Sequence, residues 1–159
     1  MNNKILTLCI IEKHGRILLG MKKRGFGTGR WNGFGGKVQD DESIEESAKR
    51  ETFEETGLTA RSLSQAGTIV FKFKDGTGIH EVHVFRCSDF EGEEKESEEM
   101  KPQWFAVDQI PYEDMWPADS YWLPYLIEGK NFKATFIYDR PSTKEYTSQI
   151  LEKEIQEVS

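Results

Sequence analysis

Gly36-Lys37-Val38-Gln39-Asp40-Asp41-Glu42-Ser43-Ile44-Glu45-Glu46-Ser47-Ala48-Lys49-Arg50-Glu51-Thr52-Phe53-Glu54-Glu55-Thr56-Gly57-Leu58 is the stretch on which the reading of this chain turns. Ser43 followed three residues later by Glu46 is a capping box, so a helix starts there. Gly57 ends it, because glycine adopts the left-handed conformation at a helix stop without strain. Ile44, Ala48 and Phe53 supply an apolar stripe for burial. Glu51 and Glu55 are four apart and share one face. Like charges at that spacing cost an isolated helix roughly 0.2–0.5 kcal/mol, so the pair implies a solvated surface or a bound cation. The solvated surface is the ordinary case. Here, however, the glycine-rich run Gly33-Phe34-Gly35-Gly36 leads directly into the helix. Its carbonyls can join carboxylates as the oxygen donors that magnesium prefers. An adjacent glutamate can then orient or deprotonate a metal-bound water as nucleophile. Arg50 can hold a catalytic carboxylate by charge-assisted hydrogen bonds, a plain surface ion pair being the alternative.

Upstream, the apolar, β-branched run Ile5 to Ile11, the turn His14-Gly15 and the run Arg16 to Gly20 predict an opening hairpin. Arg24 to Gly29 is too rich in glycine for regular structure, and the glycines between Trp31 and Val38 place flexible backbone close to something. Downstream, Gly67 to Lys74 and Glu81 to Cys87 pair as a second hairpin around Lys74-Asp75-Gly76-Thr77-Gly78. The acidic segment Glu91 to Glu99 interrupts the pattern, Trp104 to Val107 resumes as a strand, and Ala118 to Glu128 reads as a helix. Asn131 to Asp139 predicts a strand. Glu145 to Val158 fits neither period cleanly, with Ile150, Leu151 and Ile155 slightly favouring a helix.

With 159 residues the chain has the length of a single domain, expected to span 1–159. Its formal net charge of -7 excludes the broad phosphate contacts of a nucleic-acid polymer binder, which need clustered Lys and Arg. A small phosphorylated substrate is still allowed, since a divalent cation can bridge carboxylates to phosphate oxygens. Cys9 and Cys87 sit in apolar runs and read as buried thiols. The apolar stretch before Glu12 is too short to span a bilayer and carries no signal-type cleavage pattern, so a cytoplasmic protein without membrane contact is expected.

Gly36, five residues, Glu42, seven residues, then Arg50-Glu51-Thr52-Phe53-Glu54-Glu55-Thr56-Gly57-Leu58 resembles the Nudix box. Met21 to Gly27, Gly29 to Gln39, Val82-His83-Val84-Phe85 and Asp114-Met115-Trp116-Pro117 further resemble the oxidised purine nucleoside triphosphate hydrolases, the animal MutT-homologue subfamily. The resemblance weakens after about residue 139. It implies an α/β fold, an α/β/α sandwich around a central mixed β-sheet. It implies hydrolysis of modified purine nucleoside triphosphates to monophosphate and pyrophosphate by a monomer, with Mg2+ as cofactor and Mn2+ as a substitute. By matching position, Gly36, Glu51, Glu55 and Glu99 would bind the metal, with Glu54 close to it, and Arg50, Glu51, Glu54 and Glu55 would form the catalytic set. The purine would lie among Thr7, Lys22, Phe26, Asn32, Phe71, Phe73, Trp116 and Asp119. Trp116 and the phenylalanines can wall in a purine, and Asn32 offers both donor and acceptor. Taken singly, Phe71 and Phe73 read as strand core and Asn32 as a turn residue. Alternatives within the same box are O6-methyl or N6-methyl purine triphosphates, ordinary dNTPs, or a non-catalytic nucleotide-binding module.

Three positions depart from the resemblance. Thr52 stands where the family has a bulky aliphatic residue, a change in helix packing that removes no carboxylate. Ala118-Asp119 stands where the family carries two successive aspartates. Adjacent buried carboxylates can exchange a proton and so serve different purines, and a single one should narrow or shift base preference. His80 occupies a place expected to be apolar, while His83, on the opposite strand face, reads as structural.

Overall fold

The N-terminal apolar run forms β1 (Lys4–Lys13), and His14 and Gly15, both at positive φ, turn it back antiparallel into β2 (Arg16–Lys22). This computed structural model describes residues 3–159, and the expected hairpin is its first element. β2 also pairs with the short β3 (Trp31–Asn32) and, along its whole length, with β6 (Met100–Ala106). The second expected hairpin is present but longer than the sequence pattern implied, as β4 (Thr59–Phe73) and β5 (Ile79–Glu91). β7 (Asn131–Tyr138) and β8 (Ile150–Val158) complete an eight-stranded sheet in the order β3-β2-β1-β5-β4-β7-β8, with β6 on the other side of β2. The β1–β5 and β4–β7 pairs are parallel and the rest antiparallel, so the sheet is mixed.

Alternation along the central strands sends side chains to two cores. From β1, Cys9 and Ile11 join Leu18, Phe34, Leu58, Cys87 and Met100 on one face. Ile10 joins Ile17, Leu19, Ile69 and Val84 on the other, which α2 (Asp119–Ile127) covers with Trp122, Leu123 and Leu126. The first face carries α1 (Ile44–Thr56), packed on β1, β4 and β6. One helix on each face makes the α/β/α sandwich. Both cysteines are free and buried. No helix among the described residues is long and apolar enough to cross a membrane.

Two expectations fail, each for a physical reason. Phe53 is not part of the buried stripe of α1; it is 57% exposed. The packed face is Ser47, Ala48, Thr52 and Thr56, small side chains that bring the helix backbone close to the sheet. Thr52 is completely buried there, which places the departure from the family pattern in the helix–sheet interface. The C-terminal segment is a strand rather than a helix. In its pairing with β7, Tyr138 faces Ile150 and Ile137 faces Glu152, leaving Leu151 as a bulge. One extra residue reverses the side-chain parity, so the partly buried Ile150 and Ile155 both pack toward the core at an odd spacing that hides the period of two.

Candidate active site

The helix is anchored where the sequence placed its ends. Ser43 Oγ accepts from Glu46 N at 3.1 Å, Ser43 N donates to Glu46 Oε1 at 2.9 Å, and Gly57, at φ 81°, donates to Phe53 O at 2.8 Å. This fixes the rotation of α1 and points Glu51 and Glu55 at the glycine-rich segment that runs along β1. Thr7 N donates to Gly36 O at 2.9 Å, and Cys9 exchanges two backbone bonds with Phe34. A Cβ at Gly35 would stand 1.8 Å from the Thr7 carbonyl oxygen, and one at Gly36 would stand 2.6 Å from Glu51 Oε1. The glycines therefore serve close approach: Gly35 to a neighbouring strand, Gly36 to an acid of the helix.

Glu55 accepts from Gly35 N at 3.0 Å and is largely enclosed. Burial pushes its carboxyl up to about 8, the Glu51 and Glu54 charges add to this, and the Gly35 N–H and the Lys22 charge oppose it. Arg50 lies across the acids, as a positioning role requires. It grips Glu42 through Nε (2.9 Å) and Nη2 (2.8 Å), and its Nη1 reaches Glu51 (3.1 Å) and Glu54 (3.2 Å). That grip holds the Glu42 carboxyl down to about 2. Glu54 is exposed and faces solvent. Glu99 is not brought to Glu51 and Glu55; it is exposed and pairs with Arg24 at 3.1 Å. Among the described residues no three acidic, histidine or cysteine side chains converge closely enough to hold a metal. The donor set at Gly36, Glu51 and Glu55 nevertheless fits a hard cation. It is all oxygen, and it places the part-buried Glu55 carboxyl, to which no basic side chain is hydrogen-bonded, beside Glu51, which Arg50 holds.

From Gly36 and Glu55 a cavity of about 680 Å³ extends across the end of the sheet, and all eight expected purine-binding residues line it. Thr7 offers a buried hydroxyl that has no hydrogen-bond partner. Asn32 Oδ1 accepts from Gly33 N at 2.9 Å, which leaves the amide N–H groups for the cavity. Phe26 stacks on Trp116, with centroids 5.3 Å apart and planes 25° apart. Phe71 lies on Tyr138, and Phe73 meets His80 edge-on at 5.1 Å. Lys22 also lines the wall, close enough to Glu55 to lower its pKa. Asp119 is buried and receives Trp122 Nε1–H at 3.0 Å and Trp116 N–H at 3.1 Å. Burial pushes its carboxyl up to about 7 against those two donors and the Arg30 charge. His80 lines the cavity, its pKa lowered by burial and by the Lys4 charge. His83 lies outside it, bonded to Glu81 at 2.6 Å, the structural role expected of it.

Sequence reasoning missed Arg30, Tyr138 and the segment 139–149. Arg30 Nη1 donates to Met115 O and Nη2 to Thr147 Oγ1, both at 2.8 Å, while its guanidinium lies 4.4 Å from the Trp116 ring centroid. Pro141, Ser142 and Ser148 form part of the wall beyond Tyr138. A signal for Tyr138 was present: it ends the alternation Phe132, Ala134, Phe136, Tyr138, whose earlier members fill the core under α2. Nothing local marked Arg30.

Residues 2–126 match the NUDIX domain family. Over 134 residues the chain is 52% identical to a protein of Danio rerio named oxidized purine nucleoside triphosphate hydrolase, covering 84% of this chain and 86% of that one. A mouse protein of the same name is 50% identical over 141 residues, covering 89% and 90%. The crystal structure of a mutator MutT protein from Bacillus halodurans superposes with a TM-score of 0.81 at 28% identity, covering 96% of this chain and 97% of that one. The chain that carries this capped helix, glycine strand and aromatic-walled cavity therefore belongs to that family: it is a Nudix hydrolase.

Proposed function

We propose that the chain hydrolyses oxidised or otherwise modified purine nucleoside triphosphates, with Mg2+, to the monophosphate and pyrophosphate. The observation that carries this reading is the continuity of the cavity: Glu55 and Gly36 line the same cavity as Trp116 and Asp119. A triphosphate laid along it has its base between rings and its phosphates beside the acids. The names of the fish and mouse relatives support the same substrate class.

In this reading Glu51, Glu55 and the Gly36 carbonyl would hold the cation, which would neutralise phosphate charge and supply an activated water. Glu54 faces solvent at the edge of this group and takes a proton from the attacking water, while Arg50 keeps Glu51 and Glu54 in register. Glu99, paired with Arg24 here, would have to leave it to join these ligands. Lys22 balances anionic charge at the centre of the cavity, and Thr7, Asn32 and Asp119 read the base.

Phosphate-product analysis with Mg2+ tests this, comparing 8-oxo-dGTP, 2-oxo-dATP, O6-methyl-dGTP and dGTP for the intact protein and Glu55→Gln. The expected result is pyrophosphate release led by one modified purine, reduced about 10³-fold by the substitution, within the range seen when a general acid–base or metal-linked carboxylate is lost. No hydrolysis of any of the four would leave a nucleotide-binding module instead.

A further inference from the structure

Between β7 and β8 residues 139–149 form a loop that is tied chiefly to itself. Asp139 N–H donates to Gln149 O at 3.2 Å and Gln149 N–H to Asp139 Oδ1 at 2.9 Å, which closes its base. Tyr146 donates its hydroxyl to Asp139, and the Arg140 guanidinium lies 3.7 Å from the Tyr146 ring centroid. Ser148 donates its N–H to Ser142 Oγ at 3.0 Å and its hydroxyl to Arg140 O. Thr143 N–H donates to Tyr146 O at 2.8 Å, and Tyr146 N–H returns to Thr143 Oγ1 at 3.1 Å. A loop that satisfies so many of its own polar groups keeps its shape as a unit. Pro141, Ser142 and Ser148 place it in the cavity wall, although it lies beyond residues 2–126, which match the Nudix family.

Among the described residues this loop makes one hydrogen bond to the rest of the chain: Thr147 Oγ1 accepts from Arg30 Nη2 at 2.8 Å. The same guanidinium donates through Nη1 to Met115 O at 2.8 Å and lies 4.4 Å from the Trp116 ring centroid. It starts from anchored backbone, since Arg30 N–H donates to Gly27 O and Arg30 O accepts from Lys22 N–H. Two acceptors, one at each terminal nitrogen, fix the plane of a guanidinium, whereas one alone lets it turn about that bond. That plane is the surface against which the Trp116 ring rests, while Trp116 N–H is held by Asp119.

Resting on the purine reading above, we infer that Thr147 is a positioning residue: its hydroxyl fixes the Arg30 fork, and through the fork the angle at which the Trp116 ring meets the base. Thr147 is exposed and does not itself line the cavity, so its effect passes through Arg30 and not through contact with the ligand. A segment outside the family match thus sets the geometry of a ring inside it.

Thr147→Val keeps the volume of the side chain and removes the acceptor, and Thr147→Ser keeps the acceptor. KM and kcat are measured for the best-hydrolysed of the four triphosphates named above, and the Trp116 signal is followed by fluorine NMR of fluorotryptophan-labelled protein, identified with Trp116→Phe. In Thr147→Val KM should rise about threefold with kcat within about twofold, the scale of one solvent-exposed hydrogen bond to a charged group, and the Trp116 signal should shift. Thr147→Ser should restore both. In an Arg30→Ala background Thr147→Val should add nothing, as two residues acting in one chain of contacts require. An unchanged KM in Thr147→Val, with or without a shifted signal, would overturn the assignment. Failure of serine to restore KM would assign the effect to the methyl group, and an equal loss in the Arg30→Ala background would assign it to the loop acting directly on the ligand; either overturns it. A shifted Trp116 signal in a protein that hydrolyses none of the four triphosphates would overturn the catalytic purine reading and still support the link from Thr147 through Arg30 to the ring.

Discussion

At the acidic end of the cavity the functional groups come from one continuous stretch, Gly35 to Glu55, whose geometry is set by a capped helix and a glycine strand pressed against β1. At the base end they come from positions scattered along the chain: Thr7 on β1, Asn32 on β3, Phe73 on β4, Trp116 and Asp119 before and within α2, and Tyr138 on β7. The first end is fixed by local backbone geometry and tolerates little change in position. The second is fixed by long-range clasps, so its rings and polar groups can vary one at a time while the sandwich stays intact. A fold that separates the two can keep its chemistry and change its substrate.

Two adjacent glycines break the acidic end in different ways. Gly35→Ala drives a Cβ into the Thr7 carbonyl at 1.8 Å, backbone that cannot yield, so loss of stability is expected, about 3 kcal/mol by urea unfolding. Gly36→Ala meets only the end of the Glu51 side chain, at 2.6 Å, and Gly36 is not among the residues at positive φ. The chain folds, but Glu51 is pushed from its place. Hydrolysis should fall about 10²-fold, the scale expected when a reacting group is displaced by about an ångström, with an unfolding midpoint near that of the intact protein. Equal stability loss in both variants would show that Gly36 serves packing alone.

The same contrast explains what could be read in advance. The capping box, the stop at Gly57 and the spacing of Glu51 and Glu55 are short-range relations, so both helix ends and the shared carboxylate face were legible from the residues themselves. Phe53 misled because a heavy apolar side chain was weighed above small ones. The interface instead selects Ser47, Ala48, Thr52 and Thr56 for their size. β8 was misread because the bulge at Leu151 erased its alternation. At the base end the resemblance supplied eight residues that do line one cavity, yet it could not supply Arg30 or Tyr138, whose parts depend on which loops meet in space. Glu99 belongs to the same class. Its sequence position resembles a ligand's, but in the structure its nearest commitment is to Arg24.

Buried Asp119 gives the base end a pH dependence of the same sign as that of Glu55 at the acidic end and opposite to that of Glu42. Its folded carboxyl, raised to about 7 by burial, binds a proton more tightly than the unfolded one at 3.8. A raised carboxyl makes the folded state the better proton binder, so its contribution to stability is fully present below about pH 4 and is lost as pH rises through about 7. Glu42, held down to about 2 by Arg50, behaves in the opposite way, adding stability above the normal carboxylate range and losing it as pH falls toward about 2. Urea unfolding of the intact protein and Asp119→Asn at pH 5 and pH 8 isolates the first effect. The difference between the two proteins should shift by about 2 kcal/mol between those pH values, in favour of the variant at pH 8. A pH-independent difference would mean that Asp119 is ionised throughout.

The smallest expected effect falls on the clasp that assembles the base end. Arg30 joins the Met115 carbonyl, the Trp116 ring and Thr147, so one side chain ties the segment before α2 to the loop between β7 and β8. It contacts neither Glu51 nor Glu55. Arg30→Ala therefore loosens Trp116 and the 139–149 wall without moving the acids. KM for a modified purine triphosphate should rise about tenfold, the free-energy equivalent of about 1.4 kcal/mol, with kcat within about twofold. Arg30→Lys keeps the charge but not the planar fork that reaches two acceptors while lying on a ring, and it should recover little of the loss. A fall in kcat with KM unchanged would couple the two ends through Arg30 and remove the separation on which the comparison rests.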